Sequence, residues 1–227
     1  MIYLKRPITS VLSLLVFASA AASAHAGDVP STVVELFTSQ GCSSCPPANA
    51  FVGALTEDTD KLVLSYGVTY WDYLGWKDTF GDVRFTERQK AYGKAFGIGN
   101  VYTPQIVLNG SAHSPRYQRR DIDTMPLNAK GGLDIDVTDG QVVITGLADV
   151  DSTRPIVLVS FTPGWQSVDV SKGENNGRTL RLANVVTDVQ PITTDQTAIR
   201  ASDDTAYAVL VHDAETKKIL NAAVYRP

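Results

Sequence analysis

An α/β domain followed by an all-β domain is the architecture the sequence predicts, on three observations. Strand and helix signals alternate over residues 27–130. A Cys-x-x-Cys pair, Cys42-Ser43-Ser44-Cys45, stands between a buried strand and an amphipathic helix. After Gly131-Gly132 the helical signals stop, and short strand candidates separated by turn residues follow to residue 227.

Each element of the first domain has its own signal. The run from Thr32 to Thr38 is β-branched and apolar and reads as a buried strand. Past the cysteine pair, Ala48, Phe51, Val52 and Leu55 recur at helical spacing and form one face of a helix. A second strand is predicted from Lys61 to Tyr66. A helix follows from Arg84 to Phe96, with Phe85, Tyr92 and Phe96 on one side and Gly97 and Gly99 to end it. A third strand runs from Gln105 to Leu108. Asn109-Gly110 then turns the chain into a fourth strand, Ser111 to Ser114. The same Asn-Gly-Ser is a glycosylation sequon, but the turn already explains it. Arg116 to Ala129 is a last helical candidate, weakened by Pro126.

In the second domain, two strands flank the Asp139-Gly140 turn. Further strands are predicted at 156–161, 167–171, 179–186, 207–213 and 219–225. With no helix of length among them, a small antiparallel sandwich or barrel is expected over 131–227.

Residues 1–26 read as a signal peptide. Lys5 and Arg6 precede an uncharged, mostly apolar stretch from Ile8 to Ala22, and Ala24-His25-Ala26 fits the cleavage rule, with Gly27 as the mature start. That stretch is about 15 residues, short of the roughly 20 that span a bilayer. A periplasmic or secreted protein without stable membrane insertion is therefore expected. The formal charge of −4 falls to −6 once Lys5 and Arg6 leave, which argues against nucleic acid or an anionic membrane surface as partner.

The whole chain has two cysteines, Cys42 and Cys45. A bridge between them closes a very small loop and constrains the unfolded chain little, so stabilisation is a poor reason for the pair. Only a thiolate attacks a disulfide, and a thiol of pKa 8.5 is about 3% ionised at pH 7. A helix start favours the anion. Cys42, at the exposed end of the turn, is assigned as the attacking nucleophile and Cys45 as the resolving thiol. Pro46 and Pro47 are tolerated only in the first helical turn, so the helix can start as late as Cys45 or Pro46, leaving Cys42 outside it.

The order strand, Cys-x-x-Cys, helix, strand, helix, Thr103-Pro104, strand, Asn-Gly hairpin resembles the thioredoxin-like superfamily over roughly residues 30–129. The resemblance implies a mixed central sheet. It also implies that Pro104 is cis and faces the cysteines, with the backbone before it free to pair with an extended peptide. Thioredoxins carry a buried acid near the position of Glu35 that moves protons for the resolving thiol, though at a spacing that differs by one residue. Glu35 is thus either that proton carrier or a structural hydrogen-bonding group, and burial should raise its pKa.

The segments from Val34 to Ala48, Tyr70 to Asp78, Tyr102 to Gln105 and Gly173 to Arg178 further resemble a bacterial secreted family known only as a domain of unknown function with a thioredoxin-like fold. In that family His and Asp often precede the Tyr-Trp-Asp stretch, where this chain has Gly67 and Thr69. Trp71, Asp72 and Trp76 could line a ligand groove, or the segment could be a packed loop over the core. Gly173 to Arg178 is either a plain turn or a loop folded toward the redox edge, with Glu174 or Arg178 touching substrate.

Three functions remain open on sequence. The first is a thiol-disulfide oxidoreductase acting on protein thiols, protein disulfides or a redox partner protein, with the dithiol itself as the redox group and no separate cofactor. The second is a non-catalytic envelope binding module on the same scaffold. The third is a soft-metal (copper) carrier using Cys42, Cys45 and His113. The mature chain has one other histidine, His212, so a four-ligand zinc site is poorly supplied.

Overall fold

The computed structural model describes residues 28–227, so the expected signal peptide and its cleavage point lie outside the described residues. The chain forms one large mixed sheet and one small antiparallel sheet. Strand β1 (Thr32–Thr38) is buried along its whole length, which explains its continuous apolar run. It pairs in parallel with β2 (Lys61–Gly67) and antiparallel with β3 (Gln105–Leu108). The Asn109-Gly110 turn, with both residues at positive φ, leads into β4 (Ala112–Ser114) at the sheet edge.

Helix α1 (Pro46–Ala54) starts on two prolines, with Cys45 as its cap, as the late start predicts. It lies on one face of the sheet, where Val34 and Leu36 of β1 pack with Ala48 and Val52. Helix α2 (Val83–Ala95) opens on Asp82, whose carboxylate accepts from the Arg84 N–H at 2.7 Å. Its Phe85 and Tyr92 pack on the other face, with Val33, Phe37 and Tyr66. The helix expected across 116–129 shrinks to α3 (Arg119–Asp123).

A separate C-terminal sandwich or barrel does not form. Strands β7 (Ile156–Val170), β8 (Arg178–Ile192), β10 (Ala206–His212) and β11 (Ile219–Tyr225) extend the central sheet, in the order β11-β10-β7-β8-β2-β1-β3-β4. Gly131-Gly132 is therefore not a boundary between independent sheets. The junction is parallel and narrow, one pairing of Ser65 with Val185. Side chains complete it: Ser65 Oγ donates to the Ala183 carbonyl at 2.7 Å and Asn184 Nδ2 to the Val63 carbonyl at 3.0 Å. Only β5 (Asp134–Thr138), β6 (Gln141–Thr145) and β9 (Ala198–Arg200) form a sheet of their own, and it packs on Leu158, Val209 and Val211.

The long β7–β8 hairpin positions the site. Beyond the junction it runs along α1, where Gly53 admits the Trp165 ring: a Cβ there would sit 2.0 Å from it. The hairpin then carries its turn, residues 171–177, to the cysteines. Among the described residues, no helix is long and apolar enough to cross a membrane.

Candidate functional site

The site forms where β1 ends. Ser39 to Cys45 makes two tight turns, closed by Cys42 N–H to the Ser39 carbonyl and Cys45 N–H to the Cys42 carbonyl, both at 3.2 Å. The sulfurs lie 2.6 Å apart, with Cys45 Sγ donating toward Cys42 Sγ. Cys42 Sγ is 3.2 Å from Ser44 Oγ and 3.8 Å from the Thr103 carbonyl. The Thr103-Pro104 peptide is cis, as the resemblance implies, and the Thr103 carbonyl lies against Cys42.

These contacts split the two thiols. The hydrogen bond from Cys45, opposed by burial and aided by Ser44 and Thr103, brings Cys42 down to about 6. Burial pushes the Cys45 thiol far up, and its bond and repulsion with Cys42 push it further. At neutral pH this gives one thiolate and one thiol. The thiolate arises from side-chain hydrogen bonds, because Cys42 stands three residues ahead of the α1 cap and outside its first turn.

Two expectations need correction. Cys42 is not at an exposed end of the turn: it keeps 1% of its surface. The hairpin turn covers it. Asn175, fully buried, donates from Nδ2 to the carbonyls of Gln40 and Cys42 at 3.0 and 2.9 Å, and Glu174 accepts from the Ser43 N–H at 2.9 Å. Glu35 is not a neighbour of the thiols. It shares a sheet face with Val33 and Phe37, opposite α1, because one residue of offset in a strand reverses the side. There its carboxylate accepts from Arg88 Nε at 2.8 Å and from the Tyr92 hydroxyl. Its pKa is not raised as expected. Burial raises it, but the Arg88 charge and the hydrogen bonds from Arg88 and Tyr92 win and hold it below the ordinary carboxylate value.

The four residues expected to touch substrate spend polar groups on the site's own frame. Trp71 Nε1 donates to Thr103 Oγ1 at 2.7 Å, and Trp76 Nε1 to Gln40 Oε1 at 2.8 Å. Asp72 Oδ1 accepts from the Asp78 N–H at 3.2 Å, and Arg178 Nη1 donates to Asn175 Oδ1 at 3.0 Å. The aromatic segment is thus largely a brace, and the 173–178 loop does fold onto the cysteine turn. His113 stacks on Phe96 and bonds Tyr102, and no cluster of three His, Cys, Asp or Glu side chains suited to a metal occurs among the described residues.

Sequence reasoning passed over Asn175, Ser44 and Asp78. Asn175 lay inside a segment already singled out, and only the fold shows that its amide grips the cysteine turn together with Glu174. Asp78 is buried and accepts from the Gln40 and Phe80 N–H groups at 2.7 and 2.9 Å. Burial lifts it to about 6. Beside the pair, a cavity of about 600 Å³ is lined by Ser44, Pro47, Phe51, Thr103, Pro104 and Tyr117, among others. Two of its walls, Ser44 and Thr103, touch the Cys42 sulfur.

The family model described as "Protein of unknown function (DUF1223)" matches residues 33–225. The crystal structure of protein AGR_C_4864 from Agrobacterium tumefaciens is 31% identical, covering 88% of this chain and 95% of that one, with a TM-score of 0.70. HBP35 of Porphyromonas gingivalis shares the fold at 12% identity, with 88% and 76% of the two chains covered and a TM-score of 0.55. No curated protein matches. With its family model spanning nearly all of the described residues, the chain belongs to the DUF1223 family of proteins of unknown function.

Proposed function

We propose that the protein is an exported thiol-disulfide oxidoreductase on a thioredoxin-like scaffold, with Cys42 as nucleophile and Cys45 as resolving thiol. One observation carries the reading: the two sulfurs meet at 2.6 Å beside the cis Thr103-Pro104 bend, with Cys42 brought down to about 6. Asymmetry of this kind suits exchange chemistry. The Cys42 thiolate attacks one sulfur of a substrate disulfide, forming a mixed disulfide and expelling a thiolate. Cys45 gives its proton to that departing sulfur and attacks Cys42. The Cys42–Cys45 bond forms, the mixed disulfide breaks, and the second substrate sulfur leaves as a thiolate. The substrate gains two electrons and the pair loses them; the reverse sequence oxidises a dithiol.

The 600 Å³ groove beside Pro104 is the natural approach for an extended peptide, since it ends on the side chains that bond Cys42. The test is exchange with a protein disulfide or a model dithiol. Cys42→Ser should abolish exchange, and Cys45→Ser should trap a mixed disulfide through Cys42. Unchanged exchange in Cys42→Ser would refute the assignment. The burial of both cysteines favours one competing reading, a binding module with a permanent bridge. A reduction potential well below about −300 mV would support that reading, whereas one between about −270 and −120 mV fits a redox-active pair.

A further inference from the structure

A second cavity lies on the α2 face of the sheet, away from α1 and the cysteines. It has a volume of about 420 Å³, within the size range of small-molecule sites. Its walls are apolar: Val83 and Ala91 of α2 face Val157 of β7, Val189 of β8 and the two prolines Pro155 and Pro191. Polar groups gather at one end, where Arg88, His212 and Lys217 also line it.

The charges there are unevenly satisfied. Of the rim groups, Arg84 is paired with Asp82 and Asp188, and Glu87 with Lys90. Arg88 gives Nε to Glu35, and Nη2 to the Tyr92 hydroxyl and to His212 Nε2. Its Nη1 makes no hydrogen bond among the described residues and keeps some contact with solvent, although the guanidinium lies over the Tyr66 and Tyr92 rings. Lys217 has no acidic partner: its Nζ donates only to the Ala214 carbonyl, at 2.7 Å. Lys217 also sits at φ 62°, a backbone region costly for a residue with a Cβ. Its carbonyl bonds His212 Nδ1 at 3.0 Å, which ties this strained turn to the cavity floor.

An apolar chamber with unspent N–H donors and an unpaired ammonium at one end suits a molecule with an apolar body and one anionic head. A hydrogen bond from a guanidinium N–H to a carboxylate is charge-assisted and stronger than one between neutral groups. We propose that this cavity binds a small amphiphilic carboxylate, its head held by Arg88 Nη1 and Lys217 and its body between α2 and strands β7 and β8. The proposal does not depend on the cysteines.

Titration calorimetry with decanoate, and with 1-decanol as the uncharged match, tests it on the whole protein. Saturable decanoate binding is expected, with decanol at least roughly tenfold weaker, the scale of one charge-assisted hydrogen bond. Ala91→Phe fills the chamber and should weaken decanoate by tenfold or more. Lys217→Gly relieves the strained φ, so it should fold at least as well, yet weaken binding about fivefold to tenfold. Cys42→Ser should leave binding unchanged. The proposal is overturned if decanoate does not saturate, if decanol binds as tightly, or if both Ala91→Phe and Lys217→Gly bind like the parent.

Discussion

Cys45 contributes most to the lowered state of Cys42, and Ser44 and Thr103 add to it. The Thr103 hydroxyl accepts from Trp71 Nε1 at 2.7 Å, which leaves its own proton to serve the neighbouring sulfur, and the Thr103 side-chain bond is one of those that lower Cys42. Trp71→Phe keeps the ring and removes that N–H. The Thr103 proton is then no longer steered, and the midpoint for Cys42 ionisation should rise by roughly half to one pH unit, read from the thiolate absorbance. No change would mean that Trp71 only packs. At this scale the sequence was legible where structure is local: the pair and the Thr-Pro bend could both be read. Glu35 could not be placed, because the face of a strand depends on a register that its neighbours fix. The exposure of Cys42 was misread because its cover, Asn175, is 133 residues away.

Among the elements, the β7–β8 hairpin has the largest influence on access. Its turn bonds the Gln40 and Cys42 carbonyls through a single buried amide. Gly173 comes close enough to Gly41 that a Cβ on it would lie 3.6 Å from the Gly41 Cα. Asn175→Ala removes two buried hydrogen bonds, costing the docked turn about 1–3 kcal/mol. If substrate reaches Cys42 by way of turn opening, the alkylation rate of Cys42 should rise roughly tenfold while global stability changes little. An unchanged rate would place the entrance at the Pro104 groove alone. The hairpin's length was hidden in the sequence. Pro163-Gly164 reads as a break between two strands, but the strand absorbs it as a register shift between Thr162 and Trp165, with Gly164 at φ 75°. The start of helix α1, by contrast, was readable to within a residue or so, since Pro46-Pro47 admits few starting points.

For the whole molecule, the main consequence of the fold is that both halves of the sequence share one sheet and one buried network. Strand alternation showed which segments are extended, but not that β8 would dock on β2, because strand neighbours are set by long-range packing. The Glu35–Arg88–His212 network joins the halves across α2. Burial, reinforced by the Arg88 charge, brings His212 down to about 4. Its neutral form is therefore built into the folded state, and its contribution to stability is complete above the unfolded value of about 6.5. Between pH 6.5 and 4 the unfolded chain takes up a proton that the folded chain refuses, so stability should fall by an amount on the order of 3 kcal/mol. Glu35, held low, adds to the loss as pH falls below about 4.3 and through its folded value. Denaturant titrations at several pH values should show this slope, and His212→Asn, whose amide can keep the bond to the Lys217 carbonyl, should flatten it between pH 6.5 and 4. An equal slope in that variant would assign the acid loss to other groups.

The claim beneath the proposed chemistry is that Cys42 is a thiolate at neutral pH and can be reached by an incoming sulfur. The most direct measurement is the rate of iodoacetamide alkylation of the reduced protein across pH, with the modified cysteine located by mass spectrometry. The expected result is modification at Cys42 with a midpoint near 6. A midpoint near the roughly 8.5 of a free thiol, or no modification until the protein unfolds, would contradict it.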